Sequence, residues 1–185
     1  MTYKTHLSVG FLFSAVVFLL VFDIGLTPFL VLALIVSTFI GASAPDLDTP
    51  TGGLWRKIPA GGTIARIVKP IFIGGHRHLS HSLLGFAIFS GLFYLLLKMV
   101  PLDPIIHNLQ FIILAYVVGH ASHLFADMFT EMGVPLLFPL DYHFGIPPDP
   151  FDKIRIKTGQ WFENLVVYPI VNIALFFIIY SYLTK

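Results

Sequence analysis

Five uncharged apolar runs, at about residues 7–22, 24–44, 79–97, 109–126 and 165–183, dominate this chain of 185 residues. Each approaches the ~20 residues that a helix needs to cross ~30 Å of hydrocarbon. Only 11% of the residues are charged and 56% are hydrophobic, against roughly 25% charged in an ordinary soluble domain. Mean hydropathy is +0.85. The pattern predicts an all-α integral membrane protein with about five transmembrane helices and two long cytoplasmic loops, and residues 1–185 read as a single membrane-embedded domain. The first run follows Lys4, as in a secretory signal. No small-residue cleavage site follows it, and a second run begins just after Asp23, so it reads as a retained helix.

Loop charge sets the expected orientation, because Lys and Arg collect on the cytoplasmic side. Lys4, Arg56, Lys57, Arg66, Lys69, Arg77, Lys153, Arg155 and Lys157 fall on one side, and only Lys98 and Lys185 on the other, a count of nine against two. The N-terminus and both long loops are therefore expected in the cytoplasm, with the protein in the inner membrane. Net charge is +1, which gives no field for nucleic acid. Cysteine is absent, so disulfides and thiolate ligands are excluded and any metal must rest on imidazole nitrogen and carboxylate oxygen.

On this topology the histidines and clustered carboxylates converge. His6 opens the first run, Asp46 and Asp48 follow the second, His76, His78 and His81 lead into the third, and His120, His123 and Asp127 end the fourth, all toward the cytoplasmic face, while His107 lies on the far side. His123 and Asp127 have the i, i+4 spacing by which one helix offers two ligands to one metal. His120 shares their stripe but lies roughly 10 Å along the axis from Asp127 at 1.5 Å per residue, so a second ion is allowed. Each residue alone has an ordinary use: an interhelical hydrogen bond, a turn cap at Pro45, an interfacial anchor at residues 76–81. Their coincidence at one membrane depth favours a metal site, since polar side chains there are costly unless they face a cavity or a cation. Imidazole and carboxylate suit zinc, manganese or iron, one or more ions, and metal-activated water for hydrolysis. Glutamate occurs only at Glu131 and Glu163, and no His-Glu-x-x-His stretch exists, which disfavours an intramembrane zinc protease of that kind.

Thr5-His6, Pro45-Asp46-Leu47-Asp48, the stretch from His76 to Ser82, the stretch from His120 to Leu137, and Arg155-Ile156-Lys157-Thr158-Gly159 with Glu163 resemble, over nearly the whole chain, the YdjM-type family of inner-membrane proteins. Those proteins are classed as metal-dependent hydrolases and are distantly similar to zinc-dependent phospholipases C and single-strand nucleases with a His-x-x-x-Asp helix motif. The resemblance implies His6, Asp46, His81, His120, His123 and Asp127 as metal ligands. The family usually reads His-Arg-x-x-Thr-His-Ser where this chain has His76-Arg77-His78-Leu79-Ser80-His81-Ser82, so His76 and His78 both remain candidates for a metal or substrate contact, as does Glu163.

The function expected is a membrane-bound metal-dependent hydrolase, cleaving a phosphoester of a lipid or headgroup-like substrate at the cytoplasmic face. Asp46 or Asp48 would bridge ions or orient the water, and Arg77 would clamp the phosphate. The alternatives are a divalent-cation transporter, which needs polar residues through to the far side, and a non-catalytic scaffold stapled by metal. Membrane lipids are the expected partners, with the oligomeric state open. In the loops, residues 64–73 suggest an amphipathic segment in the headgroup layer within a glycine-rich cover at 49–75. Residues 133–139 suggest an apolar dip into the interface, and residues 153–157 an alternating surface hairpin with basic residues on one face.

Overall fold

A computed structural model describes residues 1–22, 24–49, 55, 59, 61–68 and 78–185. Helix α1 (Tyr3–Ala15) runs on through a π-helical turn at Val16–Val21, and α2 (Pro28–Ser43) tightens into a 3-10 turn at Ala44–Asp48. Then follow α3 (Gly61–Val68), α4 (Leu83–Lys98), α5 (Asp103–Met128) and α6 (Tyr168–Leu183), the last entered through a π-helical segment at Glu163–Val167. Among the described residues four helices are long and apolar enough to span: Tyr3–Val21, Pro28–Asp48, Asp103–Met128 and Glu163–Leu183.

The third apolar run forms a shorter helix than its sequence suggests. Leu79–His81 make a separate 3-10 turn, and Ser82, in extended conformation, starts α4: its Oγ accepts from the Gly85 amide at 3.0 Å and donates to the Leu79 carbonyl at 2.8 Å. That cap leaves 16 residues of helix, ~24 Å at 1.5 Å per residue. Thr27 caps α2 in the same way, accepting from the Leu30 amide at 3.2 Å, with Pro28 pre-set for the first turn.

The bundle is polar within and apolar without. The largest fully buried side chains include His6, His81, His120, His123 and Glu163, whereas Leu92 and Leu95 of α4 and Ile173, Phe176 and Phe177 of α6 are exposed. That inversion suits a hydrocarbon solvent, where apolar surface costs nothing and polar groups must find partners inside. Helix α2 packs most extensively on α5. A Cβ on Gly41 would lie 2.1 Å from the Tyr116 carbonyl oxygen, and one on Gly119 would lie 2.5 Å from that of Thr38. The two backbones touch there, and only glycine permits it. Phe18, Leu30, Leu34 and Ala115 fill the far half of the bundle, and Met1, Val9 and Ala126 form a smaller cluster at the near end.

Between α5 and α6 the chain is irregular but tied. Thr130 bridges Ile156 and Val134 bridges Phe144, and Gly133 turns at φ 61 against the Phe144 carbonyl. The hairpin expected at 153–157 does not form. Asp152–Ile154 is a 3-10 turn, and Arg155 is buried because its guanidinium donates to the Pro147 carbonyl at 2.7 Å and to Asp149 Oδ1 at 2.8 Å. Within 133–139, Val134 is buried and Leu137 exposed. The amphipathic segment expected at 64–73 is helical as far as Val68, with Ala65 buried and Arg66 exposed; the remainder of it, and most of the 49–75 cover, lies outside the described residues.

Candidate metal centre

Alternating helix direction brings the start of α1, the end of α2, the turn before α4 and the end of α5 to one end of the bundle. There Asp127 and His123, one turn apart on α5, meet Asp46 from the 3-10 turn after α2 and His81 from the turn at Leu79–His81. His81 Nε2 lies 3.9 Å from Asp46 Oδ1 and 3.6 Å from Asp127 Oδ2. His123 Nε2 lies 3.8 Å from each of the same two oxygens. Tetrahedral ligands ~2.1 Å from a zinc ion stand roughly 3.4 Å apart, so each of these histidine–carboxylate pairs is close to the separation of two ligands on one cation.

His6 completes the cluster from α1. Its Nε2 is 3.2 Å from Asp127 Oδ1, which also receives the Met1 amine. Its ring stacks on that of His123 with centroids 3.6 Å apart and planes within 4°. Asp127 is thus shared: Oδ1 faces His6 and Oδ2 faces the other two histidines. Two overlapping sets of side chains can hold a metal ion, His6 with His123 and Asp127, and Asp46 with His81 and His123.

Burial and tautomer define the chemistry further. The histidines and Asp127 are at most 1% exposed, while Asp46 is 20% exposed and gives the cluster its accessible side. His123 Nδ1 lies 2.7 Å from the Ala42 carbonyl. A carbonyl only accepts, so Nδ1 carries the proton and the neutral ring turns a bare lone pair at Nε2 toward two carboxylates. That Nε2 is buried and has no hydrogen-bond partner, and His6 Nδ1 is in the same state. A lone pair facing two carboxylates in a dry interior, as at His123, is a costly arrangement that a cation relieves. The donor set therefore fits a metal ion.

The remaining residues singled out in the sequence lie elsewhere. His120 is fully buried among the rings of Phe86, Phe89 and Tyr116, outside both candidate ligand sets. Asp48 is buried behind His81, accepting from Thr49 Oγ1 at 2.8 Å and Ser80 Oγ at 2.7 Å. Glu163 accepts from the Thr2 amide at 2.6 Å, Thr2 Oγ1 at 2.7 Å and the Gly159 amide at 2.7 Å, and so anchors the start of α1. His78 meets the ring of Phe138 edge-on at 6.1 Å. His76 and Arg77 lie outside the described residues. The anchoring by Glu163 was hidden in the sequence, where its rarity as a glutamate and its place in the family motif marked it for a metal or substrate contact instead.

Fold and cluster together define a helical membrane protein with buried His/Asp groups that can hold a metal ion. The chain belongs to the YdjM inner membrane protein family, whose model matches residues 1–184, in agreement with the resemblance seen in the motifs. It is 30% identical to Bacillus subtilis "Uncharacterized protein YvsG" over 167 residues, 90% of this chain and 88% of that protein. It is 35% identical to inner membrane protein YdjM of Escherichia coli over 115 residues, 60% of this chain and 52% of that protein, and equally to its Shigella flexneri counterpart. The match thus spans about half the length of the YdjM relatives. No solved structure matches.

Proposed function

We propose that this protein is a membrane-bound, metal-dependent hydrolase that cleaves a phosphoester of a lipid or headgroup-like substrate. The observation that carries the reading is the buried Nε2 of His123, bare of hydrogen bonds and 3.8 Å from both Asp46 and Asp127. A zinc-type ion, when bound, supplies Lewis-acid polarisation of a water molecule and of a phosphoryl oxygen. Asp46, on the accessible side, accepts a hydrogen bond from the attacking water and takes up its proton. Asp127 and the stacked pair of His6 and His123 hold their donor atoms in place, so that little reorganisation accompanies the reaction.

The inner membrane is the expected location, given the apolar spans and the inner-membrane relatives. By the charge count the site faces the cytoplasm. Exposed Leu137, Leu140, Phe151, Ile154 and Trp161, in the segment joined to the site end of α5, support a substrate at the headgroup layer. The apolar filling of the far half by Phe18, Leu30, Leu34 and Ala115 argues for a one-sided pocket over a cation path.

Metal analysis of the purified protein beside Asp127→Ala and His123→Ala, followed by release of phosphate or diacylglycerol from a lipid panel, tests the reading. Bound zinc lost in both variants, with hydrolysis lost alongside, is the expected result. Full metal content in both variants would remove the ligands; bound metal without hydrolysis of the panel would turn the reading toward a scaffold.

A further inference from the structure

Asp48 is buried yet stands outside the candidate ligand sets, and the Ser80 hydroxyl joins it to His81. Ser80 Oγ donates its single proton to Asp48 Oδ2 at 2.7 Å, and Thr49 Oγ1 donates to Oδ1 of the same carboxylate at 2.8 Å. With its proton committed, Ser80 Oγ can only accept from His81 Nδ1, 3.0 Å away. The proton of a neutral His81 then sits on Nδ1, and the Nε2 lone pair turns toward Asp46 and Asp127, at 3.9 and 3.6 Å. Asp48, Ser80 and His81 are 3%, 1% and 0% exposed, so water does not compete for these bonds.

We propose that Asp48 and Ser80 form a positioning relay that selects the tautomer of His81 and aims its Nε2 into the metal centre. The inference rests on the metal-binding reading above and adds two residues to it. His123 achieves the same end through the Ala42 carbonyl. A carbonyl cannot turn donor, whereas a hydroxyl can, so at His81 the carboxylate of Asp48 is required to fix the direction of the chain of bonds. Remove it, and the Ser80 hydroxyl is free to donate to Nδ1, which moves the ring proton to Nε2 and blocks the ligand atom. Partners of this kind behind a ligating histidine change metal affinity by roughly 10–100-fold.

The test is Co²⁺ titration of the full chain in detergent, read by visible absorption, for wild type, Ser80→Ala, Ser80→Thr, Asp48→Ala and His123→Ala. The relay predicts that Ser80→Ala and Asp48→Ala bind about 10–100-fold more weakly with a shifted spectrum, while Ser80→Thr keeps the wild-type affinity. Unchanged affinity and spectrum in Ser80→Ala, with wild type binding and His123→Ala not, overturns the relay alone; a wild type that binds no Co²⁺ overturns the metal reading and the relay with it. Because a variant can fail to fold, ¹⁵N-histidine NMR of metal-free wild type provides a second measurement, with His81 assigned by its loss in His81→Gln. A proton on Nδ1 supports the relay, and a proton on Nε2 overturns it.

Discussion

His6 and His123 lie ring on ring, 3.6 Å between centroids and 4° from parallel, although one opens the first helix and the other closes the fifth. The stack fixes the plane of His123 from one side while the Ala42 carbonyl fixes its rotation from the edge. His6→Phe keeps a flat ring there and removes the nitrogens. It should hold the melting temperature near wild type while weakening zinc binding at least as much as the ~10–100-fold typical of losing a supporting partner. Calorimetric titration beside a thermal melt checks this, and equal affinity would limit His6 to a packing role.

Acidification should strip the ion. An imidazole ligates only in its neutral form, so protons compete with the metal for the same lone pair, and His81 and His123 both face the same two oxygens. Occupancy is therefore high at neutral pH and is lost as pH falls, more steeply than one proton per ion would give. Metal content after desalting at stepped pH measures it.

The glycines at the α2–α5 contact differ sharply from a glycine facing lipid. Gly119→Val drives side-chain atoms into the Thr38 carbonyl and should cost about 1–3 kcal/mol or more as overpacking, separating Asp46 from His123 and lowering zinc binding as well. At Gly91 of α4 a Cβ meets nothing within 4 Å, so Gly91→Ala should be neutral or stabilising by up to ~1 kcal/mol. Thermal melts of both variants in one detergent make the comparison.

Glu163→Gln exchanges an all-acceptor group for one that carries an NH₂ toward donors from Thr2 and Gly159. A loss of about 2 kcal/mol is expected, the scale of hydrogen bonds to a charged group. Faster proteolysis near the N-terminus, with weaker zinc binding through the displaced His6, is the accompanying signature.

The spans and the gathering of His6, Asp46, His81, His123 and Asp127 were legible in the sequence, because helix direction alone brings those positions to one end. Angular position on α5 did not separate His120 from His123: they differ by about 60° at 100° per residue. What separates them is the ring set of Phe86, Phe89 and Tyr116, brought by α4 and by the preceding turn of α5. The shortening of α4 depended on Ser82 taking an extended conformation, a local choice that an unbroken apolar run conceals. The basic alternation at 153–157 misled because Arg155 found buried carbonyl and carboxylate partners in the same loop.

Because Asp127 closes a cluster that His6 begins, a chain emerging from the ribosome cannot possess the centre until its fifth helix has been inserted beside the first. On the metal-binding reading proposed above, loading then becomes a late step of biogenesis, and a protein truncated before that helix would reach the bilayer with the earlier members of the cluster in place and no means of retaining an ion.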